Sequence, residues 1–283
     1  PINYVENIGS AQIKTACCFA ALNAPGKTYI RAKKSRNHTE LLFKYLKIPI
    51  KVKSIRNFDL IEVRGLQEFN AFNYSIPGDI SSSAFFIVLT LLSKNSAITI
   101  RNVNINQSRL GIINILRMMN CKITFKNKRI YKGEKSADIY VKSSKILKPI
   151  NCPSSLNSSA IDEFLLIFLL AGTKTNGIST FKELGELNKK ESPRLNIAIK
   201  FLRMIGIRVK RNKNDIKIYG KPNLYLKKKY HIKNFLKDHR VFMMSCVAAL
   251  TLGGNWKIND KDSINTSFPK FLNILKLLGA NIK

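Results

Sequence analysis

The sequence predicts a mixed α/β fold, of the α+β kind, in which one helix–strand unit is used four times. Three observations carry that expectation. A helix marked by polar residues at helical spacing, followed by a short alternating strand, recurs along the chain. Ahead of each copy lies a second helix that is apolar nearly all round, and a short strand separates the two helices.

The unit is plainest near the middle of the chain. Arg109-Leu-Gly-Ile-Ile-Asn-Ile-Leu-Arg-Met-Met119 places polar Asn114 and Arg117, with Asn120 after them, three residues apart and so on one helix face. Lys122-Ile-Thr-Phe-Lys126 then alternates as a strand does. The same text recurs with Asn196, Lys200 and Arg203 before Ile207-Arg-Val-Lys210, and with Lys270, Asn273 and Lys276 before Ala280-Asn-Ile-Lys283. It also occurs with Glu40, Lys44 and Lys47 before Ile50-Lys-Val-Lys53. The matching helix ends, Leu46, Met119, Ile205 and Leu278, lie 73, 86 and 73 residues apart. The preceding apolar helices are Ala16–Leu22, Ala84–Leu92, Phe164–Leu170 and Val241–Leu252. A helix without a polar face belongs in a core, so all four are expected to be buried, with sheets outside them. The intervening strands are Lys27–Ile30, Ala97–Ile100, Gly177–Thr180 and Trp256–Ile258.

Pro77-Gly78 punctuates the stretch Phe72–Asp79 and marks the expected domain boundary. Residues 1–76 then hold the last unit of an incomplete first domain. Residues 77–283 form a second domain of three units, at about 77–150, 151–225 and 226–283. That lopsided count, and a start at Pro1 rather than Met, lead to the expectation that an N-terminal part is missing.

At 45% hydrophobic and 23% charged, the composition is that of a soluble globular chain, not a disordered one. Its longest uncharged apolar stretch, Val241–Gly254, is shorter than the roughly 18–20 residues a membrane span needs. Lys and Arg number 49 against 17 Asp and Glu, a formal charge of +32. The lysines are spread widely, thickest in Lys126–Lys148 and Lys210–Lys237. A nucleic-acid binder would gather them on one face between stacking aromatics, so nucleic acid is not the expected partner. Cys17, Cys18, Cys121, Cys152 and Cys246 show no metal-ligand spacing, and their odd number argues against a disulfide framework. The expectation is a cytoplasmic protein without metal.

Polar residues cluster at two points of the repeat, before the apolar helix and before the amphipathic one. In order they are Ser10-Ala-Gln12, Ser35–Glu40, Asp79–Ser82, Asp162-Glu163, Lys190–Arg194 and Asp238-His-Arg240. Helix N-termini offer free N–H groups and a positive dipole end, which suit phosphate and carboxylate. Taken singly, Ser10, Ser81 and Ser82 read first as helix caps. Lys190-Glu191 reads as a solvated pair, and Asp162-Glu163 as a complement to a helix dipole. Recurrence at equivalent positions points to convergence on one ligand site.

Gly9-Ser-Ala-Gln-Ile-Lys14, followed by Ser35-Arg-Asn-His-Thr-Glu40, resembles the shikimate-phosphate segment of the 5-enolpyruvylshikimate-3-phosphate synthases. Pro77–Ser82, Asn106–Gly111, Ile161–Glu163, Lys190–Arg194, Asp238–Arg240 and Thr266–Pro269 follow in that family's order, so the resemblance covers essentially the whole chain. It implies an enolpyruvyl-transferase fold of repeated βαβαββ units in two domains, with the site in the cleft between them. The implied reaction transfers the enolpyruvyl group of phosphoenolpyruvate to shikimate 3-phosphate, without cofactor, in a monomer. Ser10, Ala11, Gln12, Arg36, Asp162 and Lys190 would hold shikimate 3-phosphate. Arg194 and Arg240, with Gln12, would hold phosphoenolpyruvate. Asp162 and Glu191 would move protons.

The sequence departs from the family pattern at Pro193, where Asp is common, at Asn188-Lys189, where Arg-Val is frequent, and at Phe164-Leu165, where Pro usually follows Asp-Glu. Pro193 can stand in the first turn of the next helix. The family's N-terminal Lys, Ser and Arg and its Gly-rich phosphoenolpyruvate loop, which faces glyphosate, have no counterpart here. The resemblance is therefore to the C-terminal two-thirds, and the polypeptide alone is expected to be inactive and poorly stable. Three rivals remain: a UDP-sugar enolpyruvyl transferase with a reactive loop cysteine, an RNA-cyclase relative needing a catalytic His where only His239 offers itself, and a basic scaffold without catalysis.

Overall fold

Alternation and helical spacing sort the chain into twelve strands and nine helices in the computed structural model, which describes residues 1–282. The first unit is complete: β1 (Asn3–Glu6), α1 (Ala11–Leu22), β2 (Lys27–Lys33), α2 (His38–Tyr45), β3 (Ile50–Ile55) and β4 (Phe58–Arg64). β1 lies parallel to β2, β2 antiparallel to β4, and β4 antiparallel to β3, giving the order β1-β2-β4-β3. Every second residue of β2 is buried, which is the pattern of a sheet with one covered face.

The second unit repeats this with α3 (Ile80–Leu92), β5 (Ala97–Asn104), α4 (Gly111–Met118), β6 (Lys122–Tyr131) and β7 (Glu134–Lys142). Its sheet runs β5-β7-β6, and the first strand shrinks to a parallel bridge of Gly78 with Val103. The third unit has a short α5 (Asn157–Ala160), α6 (Phe164–Thr173), β8 (Ile178–Phe181), α7 (Arg194–Met204), β9 (Val209–Asn212) and β10 (Asp215–Tyr219). It carries the order β8-β10-β9 and a bridge of Asn151 with Thr180. In the fourth, β11 (Leu226–Ile232) pairs parallel with β12 (Gly253–Ile258), and α8 (His239–Leu252) and α9 (Phe271–Leu277) supply the helices.

Helices α3, α6 and α8 pack on one another, with the sheets outside them. All ten residues of α6 are buried, as a helix with no polar face requires. Phe85, Phe86, Phe268 and Phe271 meet edge-on or tilted at ring distances of 5.8–6.0 Å and tie α9 onto α3. Trp256 stacks between Tyr230 and Phe201, at 4.7 and 6.1 Å. The buried apolar residues from Ile80 to Leu275 form one cluster, and a separate cluster joins eight buried residues between Cys18 and Val63.

Two expectations need correction. The apolar helix of the first unit is not buried: α1 rests on β2 and β4 and hides only Lys14, Cys18 and Ala21. Phe19 is 45% exposed, because α1 presses one face on its own sheet and turns the rest outward. The strand expected at Ala280–Lys283 is absent over 280–282, where the backbone has no ladder partner, and Lys283 lies outside the described residues. Among the described residues no single helix is long and apolar enough to cross a membrane; the apolar stretch through α5 and α6 bends by 120°.

Candidate active site

A cleft of about 1090 Å³ opens between the first unit and the third and fourth. One wall is the N-terminus of α1. Ser10 caps that helix, its Oγ accepting from Ile13 N at 3.3 Å, and Ala11 and Gln12 line the cleft beside it. The loop before the cap is held from beneath. Glu6, only 2% exposed, accepts from the amides of Ile8 and Gly9 at 2.8–2.9 Å. Gly9 has φ +85°, a conformation that favours glycine, so the chain can turn sharply into Ser10.

Arg36 enters from the loop before α2. Its neighbours fasten that loop to the second unit. His38 Nδ1 lies 2.5 Å from Glu134 Oε1, and Asn106 Nδ2 donates to Asn37 Oδ1 at 2.9 Å. Asn104 and Asn106 donate to Glu134 as well, and these bonds hold its carboxyl below the usual range against the upward push of burial.

Across the cleft, Asp162 stands on the turn before α6 and gathers three guanidinium groups. Arg36 Nη2 donates at 2.5 Å, Arg194 Nη1 at 3.2 Å, and Arg240 Nη2 lies 3.6 Å away. Burial alone would raise this carboxyl, but Arg240, Arg36 and Arg194 together drive it well below the usual carboxylate range. Asp162 is therefore ionised throughout the physiological range.

Arg194 opens α7 and is 1% exposed. It touches three carboxylates: Nε donates to Asp238 at 2.9 Å, Nη1 to Asp162, and Nη2 to Glu191 at 2.5 Å. Asp238 is buried too, accepts from Ser192 Oγ at 2.8 Å, and caps α8 through Arg240 N at 2.9 Å. Burial opposes both charges, yet the pair keeps Asp238 low and Arg194 high. Pro193 occupies the cap position immediately before α7, one residue outside the first turn where it was expected.

Ser10, Ala11, Gln12, Arg36, Asp162, Lys190, Glu191 and Arg240 all line this one cleft, and Arg194 lies directly behind Asp162 and Glu191. The structure thus brings together every residue assigned to the two substrates or to proton movement. Sequence reasoning missed three supporting groups. Asp238 reads only as a polar residue at a helix start; it caps α8, and its second oxygen holds Arg194. Glu163 reads as a dipole partner, whereas its side chain is buried and accepts from Ser81 Oγ. A carboxylate placed directly before a wholly apolar helix was the available sign of that burial. Gly111 matters by its size: a Cβ there would lie 2.5 Å from the backbone of Ser159, so α4 closes on the segment that leads into Asp162 only as glycine.

No group of three or more metal-ligating side chains converges among the described residues. Five cysteines are free. None lines the cleft, and burial pushes the thiols of Cys18, Cys121 and Cys246 up to about 12 and that of Cys152 to about 11.

The family model for EPSP synthase (3-phosphoshikimate 1-carboxyvinyltransferase) matches residues 1–275. The 3-phosphoshikimate 1-carboxyvinyltransferase of Staphylococcus saprophyticus is 37% identical over 280 residues, 98% of this chain and 62% of that protein. That of Staphylococcus aureus is 37% identical over 278 residues, with the same coverage. The chain thus spans about 62% of the length of these curated relatives. Among solved structures, EPSP synthase from Acinetobacter baumannii superposes with a TM-score of 0.89 at 31% identity, over 99% of this chain and 63% of that one. The enolpyruvyl transferase NikO from Streptomyces tendae shares the fold, with a TM-score of 0.71 at 13% identity over 100% of this chain and 65% of that one. With a family model matched along residues 1–275, the chain belongs to the EPSP synthase (3-phosphoshikimate 1-carboxyvinyltransferase) family.

Proposed function

We propose that this chain forms most of an active site that transfers the enolpyruvyl group of phosphoenolpyruvate to the 5-hydroxyl of shikimate 3-phosphate, releasing phosphate. The observation that carries the reading is the convergence of Arg36, Arg194 and Arg240 on Asp162, opposite the N-terminus of α1. Two anionic substrates need two cationic seats in one cleft, and this arrangement offers both.

Ser10, Ala11 and Gln12 seat the phosphate of shikimate 3-phosphate at the helix terminus, with Arg36 and Lys190 beside it. Arg194 and Arg240 take phosphoenolpyruvate, whose carboxylate matches a guanidinium fork, and Gln12 reaches it from the opposite wall. The ring hydroxyl attacks C2 of phosphoenolpyruvate while its proton passes toward Asp162, and the methylene carbon takes a proton from Glu191. Loss of that proton and of phosphate restores the double bond. In the free site Asp162 is too acidic to be an effective base. Substrate anions that draw Arg36 and Arg240 away from it raise its basicity when the proton must move. The buried, weakly acidic thiols and the absence of cysteine from the cleft lining disfavour a thiol-dependent enolpyruvyl transfer to a UDP-sugar.

The same reading divides the chain at about residue 77, with one unit in the first domain and three in the second, and places a monomer in the cytoplasm. Phosphate release from the two substrates tests it, with the chain alone and with the N-terminal segment of a family member added. Release that needs the added segment and is lost in Glu191→Gln supports the roles given. A folded chain that shows no release in either case and no shikimate 3-phosphate binding overturns them.

A further inference from the structure

Behind Asp162 lies a buried polar chain that takes no part in the chemistry above. Glu163 is 3% exposed and its carboxylate does not cap the helix it precedes. It turns away and accepts from Ser81 Oγ at the start of α3. Ser81, itself 2% exposed, accepts from Arg109 Nη2 at 2.7 Å, and Arg109 reaches Asp79 Oδ1 at 2.6 Å. Asp79 in turn caps α3. One chain of bonds therefore joins the start of α3, the turn before α4 and the turn before α6. On the other side of that last turn, Arg240 Nη1 donates to the carbonyl of Asp162 at 3.4 Å.

Burying a carboxyl costs several kcal/mol unless its partners compensate, so its presence beside an apolar helix calls for a use. Stability alone does not require it, because an apolar residue would sit against this core without a desolvation cost. What the carboxyl supplies is direction. A side chain fixed to α3 on one side of the backbone leaves the preceding residue, Asp162, facing the cleft and its arginines.

We propose that Glu163 is a positioning residue: through Ser81 and Arg109 it fixes the turn that presents Asp162 to the substrates. The proposal rests on the enolpyruvyl-transfer reading for its substrate and on the coordinates for its geometry. Burial, ahead of the opposing pull of Arg240, pushes the Glu163 carboxyl up to about 7, in keeping with a group held for its hydrogen bond and not for its charge.

Glu163→Ala, Glu163→Gln and Ser81→Ala, made in this chain, test it by two readouts. Carbon-13 NMR of the Asp162 carboxyl follows its titration without any substrate. Calorimetry measures affinity for shikimate 3-phosphate. Glu163→Ala and Ser81→Ala should raise the Asp162 titration and weaken shikimate 3-phosphate by about tenfold, the scale expected when a binding group is displaced. Glu163→Gln, whose amide oxygen still accepts from Ser81, should keep the Asp162 titration and stay within about twofold of the parent affinity. An unchanged Asp162 titration in folded Glu163→Ala and Ser81→Ala overturns the proposal, as does a Gln variant that behaves like Ala. If the parent chain does not bind shikimate 3-phosphate, the enolpyruvyl-transfer reading fails, and the NMR titration still decides the role of Glu163.

Discussion

The same structural unit behaves differently in the smaller and the larger region of this molecule. In the stretch from Ile80 to Leu275, helices α3, α6 and α8 cover one another and α6 is buried along its whole length. In residues 1–64 the equivalent helix, α1, buries only Lys14, Cys18 and Ala21, and the core is a cluster of eight buried residues. Each unit has a sheet for one face of its apolar helix, but the remaining faces are covered only by other units. A repeat of this kind derives its stability from its neighbours, as stacked repeats do.

Each region also contains one buried ion pair, and these give the largest expected effects. Lys14 and Glu40 meet at 2.6 Å with side chains 0% and 4% exposed, while Arg194 and Asp238 meet at 2.9 Å with 1% and 0%. Removing Glu40 strands the buried Lys14, at a cost of about 3–5 kcal/mol, while removing Asp238 takes from the buried Arg194 one of its three carboxylates and costs less. Glu40→Ala should release amide-exchange protection across residues 1–64 alone, and Asp238→Ala across α7 and α8. Global loss of protection in both variants would mean that the two cores unfold as one.

Core truncation comes next. Leu169→Ala, at a fully buried position of α6, should cost about 2–5 kcal/mol in urea unfolding. Phe19→Ala on the exposed side of α1 should cost less than about 1 kcal/mol, and an equal cost would abolish the contrast between the helices.

A further effect is a pH dependence confined to the larger region. The folded state holds the Glu163 carboxyl at about 7, above its ordinary value of 4.5, so it binds more protons there than the unfolded chain does. Stability should then fall as pH rises from about 5 to about 8, by on the order of 1–3 kcal/mol, and Glu163→Gln should flatten the slope. Asp162 and Asp238 are shifted the other way, so their contribution is lost as pH falls below the ordinary carboxylate range. Chemical unfolding at stepped pH, with and without the Gln substitution, reads this sign directly.

Much of this architecture was legible in the residues. Asn114 and Arg117 mark one face of a helix, and Asn196, Lys200 and Arg203 mark another, because amphipathic periodicity survives in any single sequence. The exposure of α1 was not legible: Ala16–Leu22 is as apolar as a core helix, and burial depends on what packs against it. The same limit explains the loss of a strand at 280–282, where alternating residues have no partner to pair with. At the cleft, Ser10, Asp162 and Arg240 could be read because helix starts are recognisable. Glu163 and Asp238 were ambiguous because a carboxylate at a helix start satisfies local capping and long-range bonding equally well, and only tertiary contacts distinguish the two.

Trp256, the single tryptophan, lies stacked between Tyr230 and Phe201 in the larger region. Its fluorescence therefore follows the unfolding of that region and is silent to events around α1. The complementary reporter is Cys17, a half-buried thiol on α1, whose alkylation rate responds to loosening of the smaller region. A melt followed by both signals has a built-in probe at each end of the molecule, with no label engineered into either.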